Sequence, residues 1–555
     1  MVQSRDRWSG RGFFILAAIG SAIGLGNFWR FPYVAYSSGG GAFLIPYFIA
    51  LITAGIPLLM LEMSMGQMMQ AGAPLTFRKI NKKFEMIGWW ALAVGATITF
   101  YYGVVMAWSF DYLWYSLKGL FTGVFPWAEN PDTFFIQEHL QDSGSAGSIS
   151  KLVWPIVIGL LLTWISVYWI IKKGVTRVGK VVLFTVPIPF LIIFILLISS
   201  LNLTGSANGI SAYLYPDFAK LGDPNIWINA YGQVFFSLSV GFGLMYAYAS
   251  YLPKKAEISN AATMTAFANC GTSFIAGFVV FSFLGYFAAV SASSVANVAS
   301  AGPGLVFSVY PQAISLLPFG AAGNAGIAIL LFLCLLTLGI DSLFSLVEGV
   351  ATGLHDKFRL TKKQVTLILC VVSFFAGLWF ATDAGLSWLD IVDKWINLSL
   401  VAVCIVTAYV VGWKWDIWKL VKHINSNSII KVGRTWVFLI RWFIPILLLI
   451  ILFGPPIPHV YEGGAIIKLI LEGYGTFPQW ALFVGGWLPT FLAVLVGYIF
   501  MKIPSKRYDE LEEAETSPKK PSSSAKKAES AVKPKTPAKK ITIKKKPSSK
   551  PKKDN

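Results

Sequence analysis

Apolar stretches recur along the chain near residues 13–36, 41–69, 87–117, 152–171, 178–201, 226–251, 259–290, 325–354, 364–381, 387–412, 435–454 and 477–501, with polar or charged residues between them. Most are about the 20 residues that an α-helix needs to cross a hydrocarbon core of about 30 Å. The pattern predicts an all-α polytopic membrane protein with twelve transmembrane helices. Two of the stretches are broken. In the first, Gly24 and Gly26 flank Leu25 at mid-span, and Asn27 and Arg30 follow at once. In the sixth, Ser237, Ser239, Gly241 and Gly243 fall in the corresponding place. Irregular backbone at membrane depth survives only where it lines a cavity or is buried in protein.

Paired interruptions of this kind predict an inverted repeat, helices one to five against six to ten, with a binding site at the repeat interface. The expected organisation is residues 1–11 as an N-terminal segment, 12–201 as the first five-helix repeat, 226–412 as its inverted counterpart, 413–502 as helices eleven and twelve, and 503–555 as a disordered basic tail.

Composition agrees with a membrane protein and against a soluble enzyme: 555 residues, 55% hydrophobic, 13% charged, mean hydropathy +0.63. The net charge of +19 changes the picture less than its size suggests, because residues 517–555 hold 14 Lys against Glu529 and Asp554, which is +12. That Lys-, Pro- and Ser-rich tail cannot bury a core. Attraction to anionic lipid headgroups is expected of it, and no nucleic-acid role. Arg5, Arg7 and Arg11, then the Lys and Arg at 78–83, 172–180, 254–255 and 357–363, occupy alternate connections, so both termini are expected in the cytoplasm of a multi-pass plasma-membrane protein. Residues 291–325 carry no charged side chain and should pack back onto the helices in short pieces split by Pro303, Pro311 and Pro318. The four cysteines sit in apolar stretches and indicate no disulfide framework, and no cleaved signal peptide is read at the N-terminus.

A broken helix offers free N–H groups on one half and free C=O groups on the other, so it can hold an anion beside a cation. The carbonyls near Gly20, Ala22 and Ile23, with Asn27, Ser237, Asn269, Asp341 and Ser342, make an all-oxygen set of the kind a hard cation prefers. The competing reading of each Ser or Asn alone is a hydrogen bond that ties helices together. Asp341 is a mid-helix carboxylate, for which function is the default. Glu62 is expected to accept orphan N–H groups of a broken helix, with proton carriage as the rival role. Arg30 with Asp393, and Arg5 with Asp356, are charge pairs placed to close the two mouths.

Gly24-Leu-Gly-Asn-Phe-Trp-Arg-Phe-Pro32, Gly39-Gly-Gly-Ala-Phe-Leu-Ile-Pro46 and Gln233-Val-Phe-Phe-Ser-Leu-Ser239 together resemble the neurotransmitter:sodium symporter family, with a likeness to its leucine-carrying prokaryotic members that covers roughly residues 5–500. The resemblance implies sodium-coupled cotransport of an amino acid or related solute by alternating access. It implies a first sodium site at the Ala22 carbonyl, Asn27, Ser237 and Asn269, completed by the substrate carboxylate. A second would use the carbonyls of Gly20, Ile23 and Leu338 with Asp341 and Ser342. Substrate contacts would be Ser21, Ala22, Gly24, Gly26, Tyr102, Phe236, Ser237, Ser239, Phe242 and Ser342, with Ile98, Ser345 and Leu346 shaping the side-chain pocket. Trp8, Ser250 and Tyr251 would support the inner gate.

Where amine-carrying relatives have an aspartate, this chain has Gly24, which favours a substrate that brings its own carboxylate. Chloride-independent bacterial relatives carry a glutamate at the position of Ser273. Two close sodium ions repel unless negative charge is near, so a chloride site at Tyr47, Gln233, Ser237 and Ser273 is predicted, against the alternative that Ser273 only packs and Asp341 supplies the charge. The expectation is a non-enzymatic, sodium-coupled and chloride-dependent symporter of a neutral, apolar amino acid, working as a monomer or weak homodimer. A glycine or betaine-like osmolyte carrier and a non-transporting solute sensor are the rivals.

Overall fold

The computed structural model describes residues 6–454 and 465–516. Arg5 and the basic segment 517–555 lie outside them. Ten helices are long and apolar enough to cross a membrane among the described residues, and the bent pair Arg11–Ala22 and Leu25–Ser37 makes an eleventh span. The expected count of twelve falls short at the stretch 226–251. There Pro224–Ser237 and Leu244–Ser250 are 14 and 7 residues long, and the six residues from 238 to 243 between them are unwound. Neither half is long enough to span alone.

The glycines explain the breaks. Ile23 and Gly24 are extended, and the chain turns through 52° there. In the sixth stretch Ser239, Gly241 and Gly243 all have positive φ, at 53°, 90° and 77°. Two glycines take that conformation freely, whereas Ser239 takes it at a cost.

The two 38-residue helices Glu85–Thr122 and Gly320–Lys357 pack side by side through the middle of the bundle. Small residues permit the approach: Met106 occupies the space where a Cβ on Gly339 would stand, and Gly95 faces Leu346. Apolar contact with lipid gives helices no net reason to associate, so close van der Waals packing of this kind carries much of the adhesion.

The uncharged 291–325 stretch does form short pieces, Val295–Val298, Gly302–Gly304, Leu305–Val309 and Tyr310–Ser315. It packs inward as its composition required. Phe307 and Tyr310 are buried, Tyr310 lies edge-on to Phe28 of the first broken helix, and the Phe307 carbonyl accepts from the Tyr112 hydroxyl at 2.7 Å. Among the described residues, those up to Tyr508 form one compact unit. Lys506–Thr516 is helical, so helix persists beyond residue 503, where the tail was expected to start.

Candidate functional site

The two breaks meet. Ser239, turned by its positive φ, donates to the Ser21 carbonyl at 3.1 Å. Ser342, on the Gly320–Lys357 helix, donates to the carbonyls of Ser21 and Ile23 at 3.4 and 3.3 Å, and Ser21 donates to Ser345 at 2.8 Å. Gly20 fits tightly here, since a Cβ on it would stand 2.7 Å from both Asp341 Oδ2 and Val186. Asp341 is 2% exposed, and its Oδ1 has no hydrogen-bond partner among the described residues. A bare buried carboxylate oxygen, on a side chain whose other oxygen lies against Gly20, is a group that could hold a sodium ion. Leu338 lies one turn before it on the same buried helix.

Asn27 organises the other half. Its Oδ1 accepts from the Gly24 N–H at 2.8 Å, capping the second part of the broken helix, which fixes its Nδ2 outward. That nitrogen donates to Asn269 Oδ1 and to Ser273 Oγ, both at 2.7 Å. The Asn269 oxygen is thereby held facing the carbonyl oxygens of Ala22 and Ser237 at 3.0 and 3.2 Å. Hydrogen bonding to those two carbonyls alone would favour the reversed Asn269 amide. That reversal, however, would set its nitrogen against the Asn27 nitrogen, which the Gly24 bond holds in place. Three oxygens with no proton between them repel, and a cation among them turns the repulsion into coordination.

Ser237 accepts from Asn269 Nδ2 at 2.7 Å and from Asn27 at 3.3 Å, which leaves its own proton to give. The hydroxyl of Tyr47 and Oε1 of Gln233 are buried without partners among the described residues, while Ser273 gives its proton to the Asn269 carbonyl at 3.1 Å. Buried hydroxyls at Ser237 and Tyr47, the latter against Cys270 and Ser273, are donors of the type an anion takes.

Gly24 is buried, and a Cβ on it would stand 2.8 Å from Ser342 Oγ and 3.4 Å from the Tyr102 hydroxyl. That hydroxyl is buried against the Leu25 N–H and Ser342. Ile98 lies one turn before Tyr102, and Phe242 and Leu346 meet at Gly95, one turn earlier still. Gly26 has open space around it. Glu62 accepts from the Gly241 N–H at 2.7 Å, as its scaffold role required, and its Oε2 has no partner among the described residues.

The mouths differ. No ion pair joins Arg30 to Asp393 among the described residues; the guanidinium lies 4.5 Å above the Phe236 ring, and Asp393 accepts from Tyr101 at 2.6 Å. At the end carrying the N-terminus, Trp8 is 6% exposed, donates to the Tyr248 carbonyl at 2.9 Å, and meets the rings of Tyr248 and Tyr251 edge-on. Asp356 accepts from the Gly72 N–H at 2.9 Å, and its expected partner Arg5 is outside the described residues.

Sequence reasoning missed several groups here. Lys362 donates to Glu348 at 2.5 Å and to Tyr251 at 3.1 Å, yet in the sequence it is one cation among several at a helix end. Tyr101, Tyr248 and Val186 carry no pattern that separates them from packing residues.

Comparison with known proteins closes the question of class. The model of the sodium:neurotransmitter symporter family matches residues 5–133 and 127–506. An uncharacterized sodium-dependent transporter of Methanocaldococcus jannaschii is 39% identical over 456 residues, covering 81% of this chain and 90% of that protein. The sodium-dependent dopamine transporter of Caenorhabditis elegans is 33% identical over 500 residues, 80% of this chain and 79% of its own. The sodium- and chloride-dependent GABA transporter 2 of Bos taurus is 35% identical over 459 residues, 76% and 75% of the two chains. With its broken helices, its bare buried oxygens and these relatives, the chain belongs to the sodium:neurotransmitter symporter family.

Proposed function

We propose that this symporter carries a neutral, apolar amino acid together with two sodium ions and a chloride ion across the plasma membrane, its termini in the cytoplasm. The observation that carries the reading is the crowding at Gly24. A position with no room for a side chain supplies no carboxylate, so the substrate must bring one, as an amino acid does and an amine does not. The carboxylate would meet the Tyr102 hydroxyl, the free N–H groups after Gly24, and the sodium held by Ala22, Ser237 and Asn269. The amino group would meet the freed carbonyls on the other side of the break. Ile98, Phe242 and Leu346 favour an apolar side chain.

Sodium binding is coupled to the substrate because the first ion lacks a counter-charge until the carboxylate arrives. The second ion has Asp341. Chloride at Tyr47, Gln233, Ser237 and Ser273 would offset the remaining positive charge, a reading supported by the buried hydroxyls of Ser237 and Tyr47 and by the chloride dependence in the name of the bovine relative. Phe236, with Arg30 stacked on it, is placed to close the outer mouth, while Trp8, Tyr251 and Asp356 keep the inner one shut.

Purified protein in sealed vesicles tests this. An inward sodium gradient should drive accumulation of radiolabelled neutral amino acids, with a competition panel ranking them. Accumulation without sodium, or competition by amines lacking a carboxylate, would refute it. Replacing chloride by gluconate should stop uptake in the native protein, and Ser273→Glu should restore it. Equal uptake in both salts would remove chloride from the mechanism.

A further inference from the structure

A cation stands inside the membrane-spanning part of the chain with no carboxylate to neutralise it. Arg441 is the eighth residue of the Arg434–Phe453 span, about 10 Å in from its start. Its Nε donates to the Gly412 carbonyl at 2.7 Å, and its guanidinium lies 5.9 Å from the Trp413 ring centroid. Among the described residues it has no acidic partner. An ionisable side chain at such depth is costly unless something of opposite charge meets it.

Beside it runs a groove of 470 Å³ lined by Phe438, Trp442, Phe443, Ile446, Leu447 and Ile450. Residues 438 to 450 along a helix cover about 18 Å, more than one leaflet's share of a core about 30 Å thick. Trp442, in the groove, meets Trp413 edge-on at 4.5 Å, and Trp413 donates to the Arg441 carbonyl at 3.0 Å. The two indoles therefore join the cation to the groove.

The same end of the span is basic. Lys414 is exposed next to Trp413, and Lys431 and Arg434 are exposed before the span. The helix Ile417–Asn427 between them is amphipathic: Ile417, Leu420, Val421 and Ile424 are buried, while Trp418, Lys419 and Lys422 face outward. Its apolar face packs on the protein, so its outward face adds Lys419 and Lys422 to the basic end of the span. Beyond it Ile429 and Ile430 are 75% and 43% exposed.

We infer that this face is a binding site for one anionic phospholipid, its acyl chain in the 438–450 groove and its phosphate on the terminal N–H groups of Arg441, assisted by Lys414. Charge complementarity selects the occupant, because a zwitterionic lipid brings a cation of its own along with its phosphate, and a purely apolar partner brings no anion at all. A fork of N–H donors suits a phosphate better than an ammonium does.

Native mass spectrometry of the full chain in detergent, titrated with phosphatidylglycerol, phosphatidylcholine or inorganic phosphate, is the test. Phosphatidylglycerol should bind about tenfold more tightly than phosphatidylcholine, and Arg441→Gln should remove that preference. Arg441→Lys should keep part of it. Lys173→Gln, in a separate basic cluster, should leave it unchanged, and a melting curve without added lipid shows whether each variant is folded. Equal binding of the two lipids, an unaltered preference in Arg441→Gln, an equal loss in Lys173→Gln, or saturation by inorganic phosphate alone would each overturn the site.

Discussion

Replacing Gly24 with alanine isolates the crowding on which the substrate argument rests. Gly24 has φ −138° and ψ −167°, extended backbone open to any residue, so alanine brings no backbone strain. What it brings is one methyl group, 2.8 Å from Ser342 Oγ, 3.4 Å from the Tyr102 hydroxyl and 3.7 Å from Ser342 Cβ. Ordinary contact begins near 3.4 Å, so only the first is too close, by 3.4 − 2.8 = 0.6 Å. Overpacking of that size in a buried site costs about 1–3 kcal/mol. The apparent Tm in detergent should fall by about a few degrees. Ser342→Ala removes the offending oxygen and keeps the Cβ at its tolerable distance, so the penalty of Gly24→Ala should largely vanish in that background. The four proteins form a double-mutant cycle, read by the melting of intrinsic tryptophan fluorescence without substrate or added ions. A coupling of at least ~1 kcal/mol is expected for groups in direct contact. Strict additivity, with alanine costing the same whether or not the hydroxyl is present, would refute the argument and release Gly24 from its role in substrate choice.

Glu62→Ala strips the Gly241 N–H of its acceptor at 2.7 Å and should cost about 1–3 kcal/mol, most of which Glu62→Gln restores in the same melting assay. Lys362→Met leaves Glu348, with a fully buried side chain, as a charge without its cation, held only by the Tyr251 and Thr352 hydroxyls, so a loss of about 3–5 kcal/mol is expected, recovered in part by adding Glu348→Gln. If the double variant melts no higher than the single one, the ion pair is not what stabilises that end. His139, in the connection between the third and fourth spans, is buried among Tyr112, Tyr115, Phe134 and Phe135 with Asp111 3.8 Å away, and burial pushes its pKa down to about 3. Its folded pKa lies below the usual 6.5, so its contribution is complete above pH 6.5 and drains away as pH falls from there towards 3. Melting temperature should therefore drop over that range in the native protein and drop less in His139→Phe, measured side by side.

Both breaks were legible because glycine and polar residues at mid-span are anomalies against a strong apolar background. Asn27 and Asp341 stood out for the same reason. Partner choice was harder to read. Arg30 and Asp393 look like a pair in one dimension; in the fold the charge of Asp393 does act on Arg30, but their direct contacts are the ring of Phe236 and the phenol of Tyr101. Lys362 shows the converse: a helix-end lysine reads as a topology marker until the fold buries it against Glu348. The sixth span also illustrates a limit of hydropathy, since an apolar run of the right length contains two short helices and an unwound link that only Ser239 and its neighbouring glycines hint at.

The seam between the two broken helices is sewn by hydroxyls to carbonyls, Ser239 and Ser342 reaching Ser21 and Ile23, not by main-chain ladders. A hydroxyl changes partner by a rotation about one side-chain bond, an event of picoseconds to nanoseconds. Re-registering the two halves around a solute would therefore dismantle no helix, whereas moving the N-terminal segment would break the Trp8 bond to the Tyr248 carbonyl and its ring contacts with Tyr248 and Tyr251. On the proposed function, the seam is the part that slips and the indole at the far end is the part that must let go.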